Sequence, residues 1–272
     1  MVLVHSTALD ETVKIDRVID HIRGKPGGPT VVFFGGVHGN ETAGVFALKE
    51  VFRELKSNNV PIDGEIYAIS VNLGALTTRQ RFQDEDLNRI WFSERITRIV
   101  EKKQIHNTDE KELHDLYVLI DSILETGNPP FYFLDLHTTS GDTSPFMVLN
   151  DSLLNRTYAS HYPLPIILGI EEYLKGALLS YINELGYVSL GFESGQHDDD
   201  KAVHNCIEFV RYSLALVESI PVSSEKLKEL KETVAEFSVP RHRFFEIYHQ
   251  HDIGPDTTFE MSPGYVNRSE ES

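Results

Sequence analysis

Residues 30–36 (TVVFFGG) form an unbroken apolar run that ends in two glycines. So short a run without polar alternation predicts a strand buried on both faces, which requires helices packed above and below its sheet. The next segment agrees. Over residues 42–56, Val45, Phe46, Leu48, Phe52 and Leu55 recur at helical spacing on one face. The alternation then repeats: strands are expected at 65–71, 131–136, 146–149, 166–168 and 187–192, and helices at 108–125, 170–185 and 201–219. Strands alternating with helices specify an α/β fold with a mostly parallel sheet covered on both faces. Ligands of such sheets bind beyond the carboxyl ends of the strands, so polar residues in those places attract scrutiny.

The length of 272 residues, 40% of them hydrophobic, accommodates one large α/β domain with at most a small appendage. After residue 220 the pattern changes. The charged stretch 223–236 (SSEKLKELKETVAE) reads as a solvated helix or linker. Residues 241–247 and 257–261 read as short strands around a Gly-Pro turn. The division expected is therefore a main domain over 1–220 and a short β-rich segment over 221–272. With 25 basic and 42 acidic residues the net charge is −17, which argues against nucleic-acid binding through phosphate neutralisation. The single cysteine, Cys206, permits no internal disulfide. Residues 1–14 lack the pattern of a secretory signal, and no apolar run reaches spanning length. A cytoplasmic protein with no membrane partner is expected.

Two polar clusters follow strands. His38-Gly39-Asn40-Glu41 comes directly after the first core strand and precedes the helix beginning near Thr42, with Asn40 expected as its cap. His137 ends the 131–136 strand within Asp135-Leu136-His137-Thr138-Thr139. Two imidazoles and a carboxylate form a donor set that zinc accepts in catalytic sites, with a position left for water. Asp135 is placed either to orient a ligand histidine or to serve as a local hydrogen-bond acceptor.

Four motifs in order carry a resemblance: 32–44 (VFFGGVHGNETAG), 86–89 (DLNR), 135–139 (DLHTT) and 192–197 (FESGQH). Together they resemble the succinylglutamate desuccinylase/aspartoacylase family, a branch of the zinc carboxypeptidase-like fold. The resemblance implies a three-layer α/β/α architecture with a mixed, mostly parallel central sheet and a β-rich C-terminal appendage. It implies one zinc ion per chain on His38, Glu41 and His137, with Glu193 as general base. It further implies that Arg81 polarises the scissile carbonyl, with Arg79 a nearby competitor, and that Asn88 and Arg89 grip a substrate carboxylate. The reaction implied is zinc-dependent hydrolysis of the amide of a small N-acyl amino acid. Such a substrate is then the expected partner, with room for a homo-oligomer.

Two departures from the family are visible. Aspartoacylase carries an arginine shortly before the catalytic glutamate, whereas 179–187 (LSYINELGY) contains none. N-acetylaspartate is therefore disfavoured and a desuccinylase-like chain favoured. The residues after 220 are also fewer than the family's β-rich C-terminal domain requires. A carboxypeptidase-like metallopeptidase and a non-catalytic ligand-binding relative are the alternative readings.

Overall fold

The computed structural model describes residues 1–238, 244–247, 249 and 258–260. Its centre is an eight-stranded mixed sheet. In chain order the strands are β3 (Val18–Arg23), β4 (Lys25–Gly35), β5 (Asp63–Ser70), β6 (Phe131–Thr139), β7 (Phe146–Leu149), β8 (Ile166–Leu168), β9 (Val188–Gln196) and β10 (Phe244–Glu246). The spatial order is β10-β8-β7-β9-β6-β4-β5-β3. Strands β9, β6, β4 and β5 are mutually parallel, so their carboxyl ends share one edge of the sheet. Antiparallel pairing occurs where β3 meets β5 and where β7 meets β9. A separate hairpin of β1 (Val2–Ser6) and β2 (Glu11–Ile15) precedes the sheet.

The run that opened the sequence argument is β4, and its residues divide between two cores as the pleat requires. Val31 and Phe33 point into one core, with α1 (Ala43–Ser57) and α8 (Asp200–Leu216). Val32 and Phe34 point into the other, with α4 (Thr108–Thr126) and α7 (Leu178–Glu184). All four side chains are fully buried. At about 25 cal/mol per Å² of apolar area withdrawn from water, burial on both faces is the dominant reason this segment is a central strand. The result is the three-layer α/β/α sandwich anticipated from the sequence.

Three expectations change. The helix expected over 170–185 is broken into α6 (Ile170–Tyr173) and α7. Between them Gly176 adopts φ +74°, and a Cβ there would lie 2.5 Å from the carbonyl oxygen of Arg89. The break is therefore imposed by a close approach of two backbone segments. Second, Asn40 does not cap α1: the cap position is Thr42, with no side-chain capping bond. Residues 38–41 instead make a turn closed by Glu41 N donating to the carbonyl of His38 at 3.1 Å. Third, 258–260 carries no strand; the rest of 257–261 lies outside the described residues, as does the 241–243 portion of the other C-terminal strand. What is described there joins the main body. Phe244–Glu246 extends the sheet beside β8, and the charged stretch forms α9 (Ser224–Ala235), burying Leu230 and Val234 in the core shared with α8. No helix among the described residues is long and apolar enough to cross a membrane.

Candidate metal centre and substrate cavity

The turn after β4 brings His38 and Glu41 together at the shared strand edge. Gly39 makes that turn possible: a Cβ on it would lie 2.0 Å from the backbone of Ala75, within α2 (Leu73–Thr78). No other residue fits so close an approach. Its N–H donates to the carbonyl of Arg81 at 3.3 Å, which joins the turn to the loop that follows α2.

His137 projects from the end of β6, two strands' width of pairing away from the loop that carries Arg81. The ligating atoms of His38, Glu41 and His137 lie within 4.8 Å of one another, and all three residues are buried. Glu41 Oε1 is 2.8 Å from His38 Nδ1, and Glu41 Oε2 is 3.1 Å from His137 Nδ1. Thr138 N also donates to Glu41 Oε2 at 3.0 Å. Each imidazole turns its other nitrogen to a carboxylate: His38 Nε2 lies 3.2 Å from Asp86 Oδ1, and His137 Nε2 lies 2.8 Å from Asp135 Oδ2. Outer carboxylates of this kind fix ring orientation and raise the basicity of the inner nitrogen. Both Nδ1 atoms thus face the Glu41 carboxylate, and this N,N,O donor set suits a zinc ion.

The charges are strongly interdependent. Burial works against protonated His38, but the carboxylates of Asp86 and Glu41 outweigh it and raise its pKa. Burial likewise opposes charge on His137, and Asp135 and Glu41 override it, raising its pKa well above the ordinary value. Glu41 is held below the usual carboxylate range by the two imidazoles despite its burial. Glu193 behaves differently. It sits on β9 directly opposite His137 in the strand register. Its pKa is pushed up to about 7, chiefly by burial, with the carboxylates of Glu41 and Asp135 adding to the effect against the imidazoles. Its Oε2 is shut from solvent and has no hydrogen-bond partner.

A cavity of about 370 Å³ opens beside this cluster. His38, Glu41, His137, Glu193, Arg81, Asn88 and Arg89 all line it, whereas Arg79 is not among the lining residues. Arg81 is tethered by Asp86, whose Oδ2 accepts from its Nε at 3.2 Å and its Nη2 at 3.1 Å. Asn88 and Arg89 belong to a single 3-10 turn, Leu87–Arg89, capped by Asp86. Asn88 Oδ1 accepts from Leu178 N at 2.9 Å, which ties this turn to the start of α7. Arg89 is partly withdrawn from water, and that burial lowers its pKa despite the favourable field of Asp86.

Sequence reasoning overlooked Asp86 as the partner of His38, although the residue opens the Asp-Leu-Asn-Arg motif. It also overlooked Asp109. That fully buried carboxylate accepts from Asn72 Nδ2 at 2.8 Å and from the backbone N–H groups of Asp84 at 2.7 Å and Glu85 at 3.0 Å. It thereby clamps the Arg81–Arg89 loop to the end of β5. Asp135, left open between two roles, contacts His137.

Comparison with known proteins converges on one group. The profile of the succinylglutamate desuccinylase/aspartoacylase catalytic domain matches residues 27–199. A succinylglutamate desuccinylase of Burkholderia lata is 30% identical over 83 residues, covering 30% of this chain and 23% of that protein. An aspartoacylase of Xenopus tropicalis is 30% identical over 131 residues, 45% of this chain and 38% of that one. The matched stretches therefore span well under half the length of these curated relatives. Among solved structures, a succinylglutamate desuccinylase/aspartoacylase from Rhodobacter sphaeroides superposes with TM-score 0.58 at 23% identity, covering 75% of this chain and 60% of that chain. A succinylglutamate desuccinylase from Vibrio cholerae gives TM-score 0.58 at 15% identity, over 91% and 77% of the two chains. These structures share the fold.

Proposed function

Because this chain belongs to the succinylglutamate desuccinylase/aspartoacylase family, we propose that it is a zinc-dependent deacylase hydrolysing the linear amide of a small N-acyl amino acid. The observation that carries the reading is the convergence of His38, Glu41 and His137 around one cluster of donor atoms, beside a cavity that Glu193, Arg81, Asn88 and Arg89 also line.

His38, Glu41 and His137 would hold the ion. Bound there, zinc supplies Lewis acidity, which lowers the pKa of water and draws charge from a carbonyl oxygen. Glu193 moves the proton. Its carboxylate, which lines the cavity, accepts the proton from the attacking water and delivers it to the nitrogen of the departing amine. Burial, which raises its affinity for a proton, suits it to the first transfer. Arg81, held in place by Asp86, donates to the carbonyl oxygen as it gains negative charge. Arg89 takes the substrate carboxylate through its guanidinium fork, and Asn88 beside it fixes the turn from which that fork reaches the cavity. Holding the carboxylate there orients the amide for attack. The products are a carboxylic acid and a free amino acid.

The test is metal analysis combined with a screen of N-acyl amino acids, with and without a chelator. Glu193→Gln should retain stoichiometric zinc and lose turnover by about 10³-fold or more, since proton transfer alone contributes about 10²–10⁴-fold. A Glu193→Gln protein that turns over like the parent would end this scheme.

A further inference from the structure

One side chain lining the cavity has no part in the scheme above. His197 ends the Phe192–His197 motif and is half-buried beside the metal cluster. The pairing of β9 with β6 explains how it gets there. His137 faces Glu193 and Thr139 faces Gln196, so two steps on β6 meet three on β9. Such a bulge re-aims the residues that follow it. Past it, His197 N donates to the carbonyl of Thr139 at 2.8 Å, and His197 Nδ1 lies 2.7 Å from Thr138 Oγ1. Nε2 has no partner among the described residues, and it is open to solvent rather than sealed in protein. Burial lowers the pKa of the ring against the pull of Glu41 and Asp198. Its uncharged form offers one N–H and one lone pair.

The two oxygens of Glu41 divide the contacts around the cluster. Oε1 lies beside His38 Nδ1 and accepts from Arg81 Nη1 at 3.5 Å. From His38 the contacts run on to Asp86, which caps the turn carrying Arg89. Oε2 lies beside His137 Nδ1 and accepts from Thr138 N, and from Thr138 the contacts run on to His197. The two halves of an N-acyl amino acid leave the amide in different directions. If Arg89 draws the carboxylate half along the first line of contacts, the acyl half is left for the second. Resting on the deacylase reading above, we infer that His197 touches the acyl half of the substrate through Nε2 and helps to select the acyl group.

The experiment compares the zinc-loaded parent with His197→Asn and His197→Gln. An asparagine amide reaches about as far as Nδ1 and keeps a partner for Thr138, whereas a glutamine amide reaches about as far as Nε2. Two series are measured: acetyl-, butanoyl- and succinylglutamate, and the acetyl amides of glutamate, aspartate and leucine. In His197→Asn the ratio of kcat/KM between the best and poorest acyl group should fall about fivefold or more, the scale of one lost hydrogen bond. The ratios among amino acids should stay within about twofold and zinc should remain stoichiometric. His197→Gln should keep the parent's acyl ratio. An unchanged acyl ratio in His197→Asn, or amino-acid ratios that move as far as the acyl ratio, overturns the inference and leaves the deacylase reading standing. Loss of zinc or activity in His197→Gln alone also overturns it, because the ring then acts through Thr138. If the parent hydrolyses none of these amides, the deacylase reading falls, and calorimetric binding of the acyl series decides. A fall of the same size in the affinity ratio of His197→Asn supports the contact; an unchanged ratio, or no binding, overturns it.

Discussion

Replacing Asp109 by alanine removes the acceptor that ties the substrate loop to the sheet. Three donors lose their partner at once: Asn72 Nδ2 and the N–H groups of Asp84 and Glu85, at 2.8, 2.7 and 3.0 Å. A buried donor left unsatisfied costs about 1–3 kcal/mol. Asn72 is fully buried, so its amide bears that cost in full, whereas Asp84 is exposed and its backbone has water within reach. The total is then about 3–5 kcal/mol, which in a chain of this size lowers the thermal midpoint by roughly 10 °C. Asp109→Asn keeps the shape and one oxygen but turns an NH₂ toward at least one donor, so about 2–3 kcal/mol is expected. The clamped loop also delivers Asp86 to His38 and Arg89 to the cavity. Zinc affinity and KM should therefore worsen in parallel with stability. Urea unfolding gives the free energies, and a competitive chelator titration gives the zinc affinity. If Asp109→Ala lies within about 1 kcal/mol of the parent, the clamp is not what holds the loop and the reasoning is refuted.

Three further outcomes are expected. Asp135→Asn, which weakens the contact orienting His137, should loosen zinc by about 10–100-fold with little effect on folding of the sheet; unaltered zinc affinity in a chelator titration would contradict it. Gly176→Ala forces a Cβ into the carbonyl of Arg89 at a positive φ, so KM should rise about 10-fold or more while bound zinc stays stoichiometric; steady-state kinetics with metal analysis checks this. Glu110 is held down to about 2, because Arg98, the N–H of His106 and Arg95 together override its burial. Its stabilising contribution is complete above its ordinary value of 4.5 and disappears as the pH falls toward 2. Allowing for solvent around the two arginines, about 2 kcal/mol is at stake. Glu110→Gln should lack that portion of the acid-induced loss when unfolding is followed from pH 5 to 2.

The legible part of the fold was the part governed by local pattern. Residues 146–149 and 166–168 match β7 and β8, and 108–125 matches α4 to within a residue, because apolar periodicity is a property of neighbouring residues. The hairpin β1–β2 and the edge strand β3 were not anticipated. Strand β3 is only partly buried and ends on the exposed Arg23, and β2 has an exposed start, so neither shows the two-faced apolar signature that marks β4. The break at Gly176 was invisible for a different reason. Helical spacing runs through 170–185, and only the approach of the Arg89 backbone forbids the helix from continuing.

The sequence by itself determined that this chain builds a covered, largely parallel sheet, and it named the residues that meet at the strand ends. It could do so because buried strands require continuous apolar runs and because donor groups following such runs stand out against them. Only the tertiary structure decided how those residues are held. His38 reaches Asp86 across 48 positions and Asn72 reaches Asp109 across 37, and contacts at such separations arise from the packing of whole elements.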